Sequence, residues 1–260
     1  MPELPEVETL RGQLAVLAVG RVIEGIEVLD PKIGTLPDIK GAMITAVRRR
    51  GKGLDIILNN AQSLNIHLRM TGRLQWLGHG DALPQRSRLI ITLDTGRIAL
   101  IDLRRFATVH VADTPAEGDS AEGDIFTNLN IPFLERRAEG KKTPIKAFLL
   151  NQAIMPGMGN IYACEILHLA GVAPSRPVCS LVSSEWERII EATPRILEKA
   201  ISCRGTTVSD WRDLFGNKGE FQGRLLVYSR DGLLCHRCRG LVKRVKLAGR
   251  GTYFCPVCQH

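Results

Sequence analysis

Four of the seven cysteines fall into two pairs, Cys235-x2-Cys238 and Cys255-x2-Cys258, with 16 residues between the pairs. Two such pairs at this separation place four thiolates around one tetrahedral Zn²⁺, usually from the two knuckles of a β-hairpin. Protein then fills every coordination position, so the metal is structural and does no chemistry. A redox dithiol is the alternative use of such pairs. Between them lie Lys243, Arg244, Lys246 and Arg250, cations on a metal-braced hairpin that suits a phosphate backbone. The opening Pro2-Glu3 offers a second chemistry. With Met1 removed, Pro2 presents a secondary amine. An α-amino group titrates at about pH 8, far below lysine, so about a tenth of it is a free nucleophile at pH 7, far more than of a lysine. Amines attack sugar and carbonyl carbons to give imines, and a secondary amine gives a permanently cationic iminium. Glu3 would stand beside that nitrogen as a proton donor and acceptor. An ordinary processed terminus is the plain alternative, and the two residues alone leave both open.

Composition narrows the partner. The 260 residues include 35 Lys/Arg and 27 Asp/Glu, a net charge of +8. Residues 201–260 hold 11 basic and 4 acidic side chains, whereas residues 1–200 are nearly balanced at 24 against 23. A basic C-terminal module is the footprint of a phosphate-backbone partner, with a solvated basic face as the alternative. The acidic, proline-rich start does not resemble a signal peptide, and no apolar run is long enough to span a membrane. A soluble cytoplasmic protein with no membrane partner is expected. The remaining cysteines, Cys164, Cys179 and Cys203, are scattered singly and are read as small buried hydrophobes.

The elements that must position these groups follow from periodicity. Val7, Leu10, Leu14 and Leu17 recur at helical spacing, so residues 6–19 form a helix that stops at Gly20. The preceding Pro2–Glu6 carries no apolar pattern and is not read as a helix start. Over residues 21–112 the period changes. Short β-rich runs such as Leu54–Leu58, Ser63–Leu68, Arg88–Leu93 and Arg97–Ile101 are separated by turn signals, pointing to a β-sandwich or barrel. Asp113–Asp124 holds five acidic and no basic residues and reads as a mobile surface loop or linker. From about Thr143 to Arg204 the period is helical again, with Trp186, Ile189, Ile190 and Leu197 on one face. The expected fold class is α+β: an N-terminal helix and β-sandwich (1–112), a linker (113–142), a helical domain (143–224) and a four-cysteine zinc-finger hairpin (225–260).

Several motifs resemble, in order along the whole chain, those of the formamidopyrimidine-DNA glycosylase family. Pro2-Glu-Leu-Pro-Glu-Val-Glu8 is similar to its opening, and Arg50-Gly51-Lys52-Gly53 to its β-strand lysine element. His67-Leu68-Arg69-Met70-Thr71-Gly72 resembles its His-Leu-Gly-Met-Ser-Gly loop, and Asp102-Leu103-Arg104-Arg105-Phe106 its Asp-Pro-Arg-Arg-Phe. Gly157-Met158-Gly159-Asn160-Ile161-Tyr162-Ala163 resembles the start of its helix–two-turn–helix motif. Val227–Gly232 leads into the finger, and Gly249–Cys255 is similar to the finger's distal strand.

The resemblance implies a bifunctional DNA glycosylase and abasic-site lyase that excises oxidised purines, 8-oxoguanine and formamidopyrimidines, from duplex DNA. Pro2 would attack C1′ of the damaged nucleotide and Glu3 would transfer protons. Lys52 would contact phosphate and assist β-elimination, and Arg250 would bind phosphate and assist the second elimination. An iminium at C1′ acidifies C2′, which is why both C–O bonds of the sugar can break. The target base must leave the stack, and the resemblance assigns the gap to Met70, Arg104 and Phe106. An apolar wedge and an aromatic ring suit a stacked gap, and arginine can bond an orphaned base. Taken singly, Met70 and Phe106 would also suit a core. Asn160 would cap or open a helix whose N-terminus binds phosphate, and Lys142 and Arg86 are further DNA contacts by family position. The cofactor implied is one structural Zn²⁺ held by Cys235, Cys238, Cys255 and Cys258. The partner is double-stranded DNA with oxidised bases or abasic sites, bound by a monomer in the bacterial cytoplasm with nucleoid-associated activity.

The departures are Arg69 for the loop glycine, which would leave that backbone less free, Leu103 for the proline, Arg86-Ser87-Arg88 for a His-x-His element, and Leu129–Pro132 without the usual Gly-Pro pair. They bear on lesion preference and DNA geometry. Leu4 favours the purine branch over the endonuclease VIII branch, which prefers oxidised pyrimidines and resembles Pro-Glu-Gly-Pro-Glu. A non-catalytic binder of damaged DNA is the alternative of another class; Pro2 and Glu3 argue against it, since binding needs neither. A bare zinc-ribbon interaction module leaves the matches of the first 200 residues unexplained.

Overall fold

The computed structural model describes residues 1–113 and 125–260. The described residues form two compact units, 1–113 with Cys203–Glu220, and 125–202 with Phe221–His260.

The first unit opens with helix α1 (Leu4–Ala18). Leu4, Val7, Leu10, Leu14 and Ala18 share its buried face, and each buried Leu or Val there contributes about 1.5–3 kcal/mol. The helix begins before the residue at which apolar periodicity starts it, which corrects the reading of Pro2–Glu6. Glu3 is the N-cap, Pro5 lies in the first turn, and Glu6 at the third helical position completes a capping box with Glu3. Proline is tolerated there because the N–H it lacks would have no helical partner.

The strands are β1 (Ile23–Val28), β2 (Ile44–Arg50), β3 (Gly53–Leu58), β4 (Gln62–His67), β5 (Gly72–Leu77), β6 (Ser87–Leu93), β7 (Gly96–Asp102) and β8 (Thr108–Asp113). They make two four-stranded antiparallel sheets, ordered β1-β6-β7-β5 and β2-β3-β4-β8. Alternate residues, such as Leu54, Ile56 and Leu58 of β3 and Leu89, Ile91 and Leu93 of β6, enter one core shared by both sheets and α1. This is the expected sandwich. Trp211 and Leu214 join that core from the Cys203–Glu220 segment, and the Trp76 N–H donates to the Leu214 carbonyl at 2.9 Å. The acidic segment read as a linker lies outside the described residues, except Asp113 at the end of β8.

The second unit contains α2 (Ile125–Asn128), α3 (Ile131–Ala138), α4 (Ile145–Leu149), α5 (Asn160–Ala170), α6 (Ser183–Ser202) and the hairpin β9 (Lys243–Leu247)–β10 (Arg250–Phe254). Trp186, Ile189 and Leu197 of α6 are buried, and the Trp186 ring lies 5.8 Å from that of Phe148 on α4. Cys164 and Cys203 are buried as expected, but Cys179 is exposed. It sits in a single 3₁₀ turn, Val178–Ser180, whose inward position is taken by Val178. Among the described residues, no helix is long and apolar enough to cross a membrane.

Candidate active site

Pro2 is buried and Glu3 is 4% exposed at the head of α1. The organiser of this terminus is Glu6, itself buried. Its Oε2 accepts the Glu3 N–H at 2.8 Å and its Oε1 accepts the Thr206 N–H at 2.7 Å. Gly205 makes room for that carboxylate. Its φ is +78°, and a Cβ there would lie 2.5 Å from Glu6 Oε1. Two residues on, Glu8 accepts from Arg49 Nε at 3.0 Å and Arg11 Nε at 2.6 Å. One carboxylate thus ties the backbone at Glu3 to that of the distant Thr206, a feature that no local pattern in the sequence announces.

Lys52 occupies the two-residue turn between β2 and β3, with Arg50 paired to Gly53 and φ of +58° at Gly51. A positive φ is what so tight a hairpin asks of its first central residue when the turn is type II′. Gly53 pairs with His67 across β3–β4, which brings His67 to the same sheet end as Lys52. Burial pushes the His67 pKa below its usual value, and the positive charges of Arg69 and Lys52 add to the shift. His67 Nδ1 accepts the Arg69 N–H at 3.0 Å, which leaves the proton of the neutral ring on Nε2 as a donor. In the sequence His67 stands out only as part of a motif; the β3–β4 register places it at the sheet end that carries Lys52. Arg69 adopts φ +56°, the left-handed conformation that glycine takes at little cost and arginine only with strain.

Met70, Arg104 and Phe106 come together on one surface. Met70 is 48% and Phe106 43% exposed. Arg104 Nη1 lies 3.3 Å from Met70 Sδ, and its guanidinium sits 4.8 Å from the Phe106 ring centroid. Lys32 Nζ lies 5.2 Å from the same centroid, a cation the sequence reading does not single out. Exposure of two large apolar side chains beside cations is the reverse of a core arrangement. Beneath them Asp102 is buried and accepts from Thr71 Oγ1 at 2.5 Å and from the N–H groups of Arg104, Phe106 and Ala107 at 3.1, 2.6 and 2.7 Å. Burial alone would raise its pKa, but these hydrogen bonds outweigh it and hold the carboxyl below its ordinary value. Arg86 is exposed with φ +66°, whereas Arg88, the other end of the Arg-Ser-Arg element, is buried against Asp30 at 2.6 Å.

In the second unit the four cysteine Sγ atoms lie within 4.8 Å of one another. Zn–S bonds of about 2.3 Å in a tetrahedron give S···S edges of about 3.8 Å, and the pairs Cys235–Cys258 and Cys238–Cys255 lie at 3.9 and 3.4 Å. The Arg237 and Gly240 N–H groups donate to Cys235 and Cys238 sulfur, each at 3.4 Å. The Gly240 N–H lowers the Cys238 thiol to about 7, whereas burial raises the thiols of Cys255 and Cys258. The donor set fits one closed structural Zn²⁺.

Ala248 and Gly249 turn the β9–β10 hairpin with φ +48° and +76°, a type I′ pattern, and exposed Arg250 follows at once. The carbonyl of its neighbour Gly251 accepts Lys146 Nζ and Asn160 Nδ2, each at 3.0 Å. Lys146 also donates to Thr252 Oγ1 at 2.7 Å. Asn160 opens α5, with Gly159 as the N-cap. The sequence reading passes over buried Lys146, although a lysine inside the apolar run Ile145–Leu149 must find partners. Lys142 is exposed in the loop before α4.

Residues 1–109 match the formamidopyrimidine-DNA glycosylase N-terminal domain, residues 122–211 its H2TH domain, and residues 232–260 the zinc finger found in FPG and IleRS. The formamidopyrimidine-DNA glycosylase of Carboxydothermus hydrogenoformans is 38% identical over the full length of both chains, 100% of each. The chain belongs to the formamidopyrimidine-DNA glycosylase family. Another such glycosylase, from Symbiobacterium thermophilum, is 38% identical over 100% of this chain and 89% of its own. A solved structure of a Lactococcus lactis FPG mutant with Fapy-dG-containing DNA superposes with a TM-score of 0.91 at 31% identity over the whole of both chains. The same enzyme in complex with abasic-site DNA gives 0.90 over 99% of each chain. This glycosylase family accounts for the sandwich, the helical region and the four-cysteine hairpin together.

Proposed function

We infer that the chain is a bifunctional DNA glycosylase and abasic-site lyase acting on oxidised purines in duplex DNA. The observation that carries the reading is the buried, carboxylate-anchored Pro2-Glu3 at the head of α1 in a chain of this family. A terminus used only for solubility needs no such anchoring. With Met1 removed, the Pro2 nitrogen attacks C1′ as the base departs, and Glu3 passes the protons. The resulting iminium acidifies C2′, and successive β- and δ-eliminations cut the strand on both sides of the sugar. Lys52 and His67, at one sheet end, supply an ammonium and a neutral N–H donor for phosphate. Arg250 takes the corresponding role on the finger. Met70, Arg104 and Phe106 fill the gap left by the extruded nucleotide, and Arg86, Lys142 and Asn160 contact the backbone. One structural Zn²⁺ keeps the finger folded. The protein works as a single chain in the bacterial cytoplasm, where its activity is associated with the nucleoid.

The test is incision of duplexes carrying one 8-oxoguanine, one formamidopyrimidine or one oxidised pyrimidine. Cleavage of the purine duplexes, leaving phosphate at both ends of a one-nucleotide gap, is expected. A complex of the Lactococcus lactis FPG with DNA containing an oxidised pyrimidine has been solved, so the pyrimidine arm is the second reading. Cleavage of that duplex alone would move the chain to it. Tight binding without cleavage of any duplex would make it a recognition protein.

A further inference from the structure

The exposed triad Met70, Arg104 and Phe106 is carried by two segments, Leu68–Gly72 and Asp102–Ala107, that meet through one side chain. Asp102 divides its oxygens between them. Oδ1 accepts from Thr71 Oγ1 at 2.5 Å and from the Arg104 N–H at 3.1 Å, so one atom ties the neighbour of Met70 to the backbone of Arg104. Oδ2 accepts from the N–H groups of Phe106 and Ala107 at 2.6 and 2.7 Å and faces Arg88 Nη1 at 3.4 Å. Arg88 passes the constraint on. Its Nε bonds Asp30 at 2.6 Å, and Asp30 holds Arg105, the residue between Arg104 and Phe106, at Nε by 2.8 Å. Arg105 has φ +59°, so the ion pair draws it towards Asp30 while the residues on either side stay with the triad. Two aspartates and two arginines close this cluster with no net charge.

We propose that Asp102 and Thr71 form a latch that holds the Met70 loop and the Arg104–Phe106 turn in one register, and that this register governs extrusion of the damaged nucleotide. The proposal rests on the glycosylase reading above. A wedge built from two independent loops would lose their mutual freedom at the moment of insertion, and that ordering cost would fall on the extrusion step. A wedge latched beforehand enters the stack already ordered. The Asp102 carboxylate is buried, and it is engaged by the Thr71 hydroxyl and the backbone N–H groups of the triad's own loops, so Asp102 and Thr71 are positioning residues.

Thr71→Val removes the hydroxyl at nearly constant volume, and Thr71→Ser keeps it. Three readouts separate the roles: single-turnover excision of 8-oxoguanine, cleavage of a preformed abasic site, and fluorescence of 2-aminopurine beside the lesion, which reports unstacking. Losing the bond to the charged Asp102 carboxylate, together with the longer 3.3 Å bond that Thr71 Oγ1 accepts from the Arg104 N–H, should slow excision roughly 10-fold or more in Thr71→Val. The fluorescence change should shrink, while abasic-site cleavage, which needs no base extruded, stays within about 2-fold. Thr71→Ser should restore excision. In Asp102→Asn an amide NH₂ faces a backbone N–H in either flip, so the loss should be larger. The latch is refuted if Thr71→Val excises at the normal rate, if serine fails to rescue, or if excision and abasic cleavage fall together with the melting temperature. An unaltered protein inactive on every substrate would refute the glycosylase reading instead. The fluorescence step, which needs only binding, would still decide the latch.

Discussion

Gly205→Ala isolates the anchoring of the Pro2-Glu3 terminus. The substitution meets two separate obstacles. Residue 205 has φ +78°, and an L-residue held in the left-handed region costs about 1–2 kcal/mol. In addition, the new methyl would lie 2.5 Å from Glu6 Oε1, the atom that accepts the Thr206 N–H at 2.7 Å. Displacing that carboxylate gives up a buried bond to a charged acceptor, about 1.5–3 kcal/mol more. The expected loss is therefore roughly 2.5–5 kcal/mol. Gly20→Ala is the control, because its φ is +81° with nothing within 4 Å of the added carbon; it should lose only about 1–2 kcal/mol. Urea unfolding at unchanged m-value measures both. Equal losses at the two positions would refute the claim that Glu6 is clamped against Gly205. A larger loss at Gly205 should also come with slower attack by Pro2, since Glu6 holds the Glu3 N–H at 2.8 Å.

Other outcomes follow from the same geometry. Chelation, or Cys238→Ser, should abolish DNA binding together with the folded hairpin, because structural zinc sites fold with their metal; unchanged binding by zinc-free protein would contradict this. Burial, Arg69 and Lys52 hold the His67 pKa below its usual value. The unfolded chain therefore takes up a proton near pH ~6.5 that the folded chain refuses, and stability falls as pH drops through that range until folded His67 itself titrates. His67→Gln should flatten that part of the stability curve, and an equally steep curve in the variant would assign it elsewhere. DNA affinity should fall steeply with salt, and Arg250→Ala should lower the slope of log K against log salt by about 1; an unchanged slope would remove Arg250 from the phosphate contacts.

The legible parts of this chain are those in which chemistry repeats locally. Cys235, Cys238, Cys255 and Cys258 are spaced by the demands of a tetrahedron, and the thiolates gather within 4.8 Å as that spacing requires. Period-2 runs such as Leu54–Leu58 become sandwich strands because one face of each enters the core. The start of α1 escapes the sequence because apolar periodicity is silent about a helix end made from Glu3, Pro5 and Glu6. The aspartates Asp30 and Asp102 and the arginine Arg88 do not stand out in the sequence as a buried cluster. Their partners lie 14 to 75 positions apart, and an Asp or Arg in a β-rich sequence looks like an exposed residue until its partners are placed. The return of Cys203–Glu220 to the first unit is illegible for the same reason, since Glu6 and Thr206 are 200 positions apart. The strained Arg69, by contrast, is visible as a departure from a glycine, and its φ of +56° gives the physical reason for that glycine.

In the proposed mechanism the Pro2 amine becomes covalently joined to the damaged nucleotide. Borohydride reduction during turnover on a duplex with one 8-oxoguanine, followed by peptide mass mapping, tests it most directly. The trapped adduct should lie on the peptide that begins at Pro2, with Met1 absent. Strand cleavage with no trapped adduct, or an adduct mapped to a lysine such as Lys52, would contradict it.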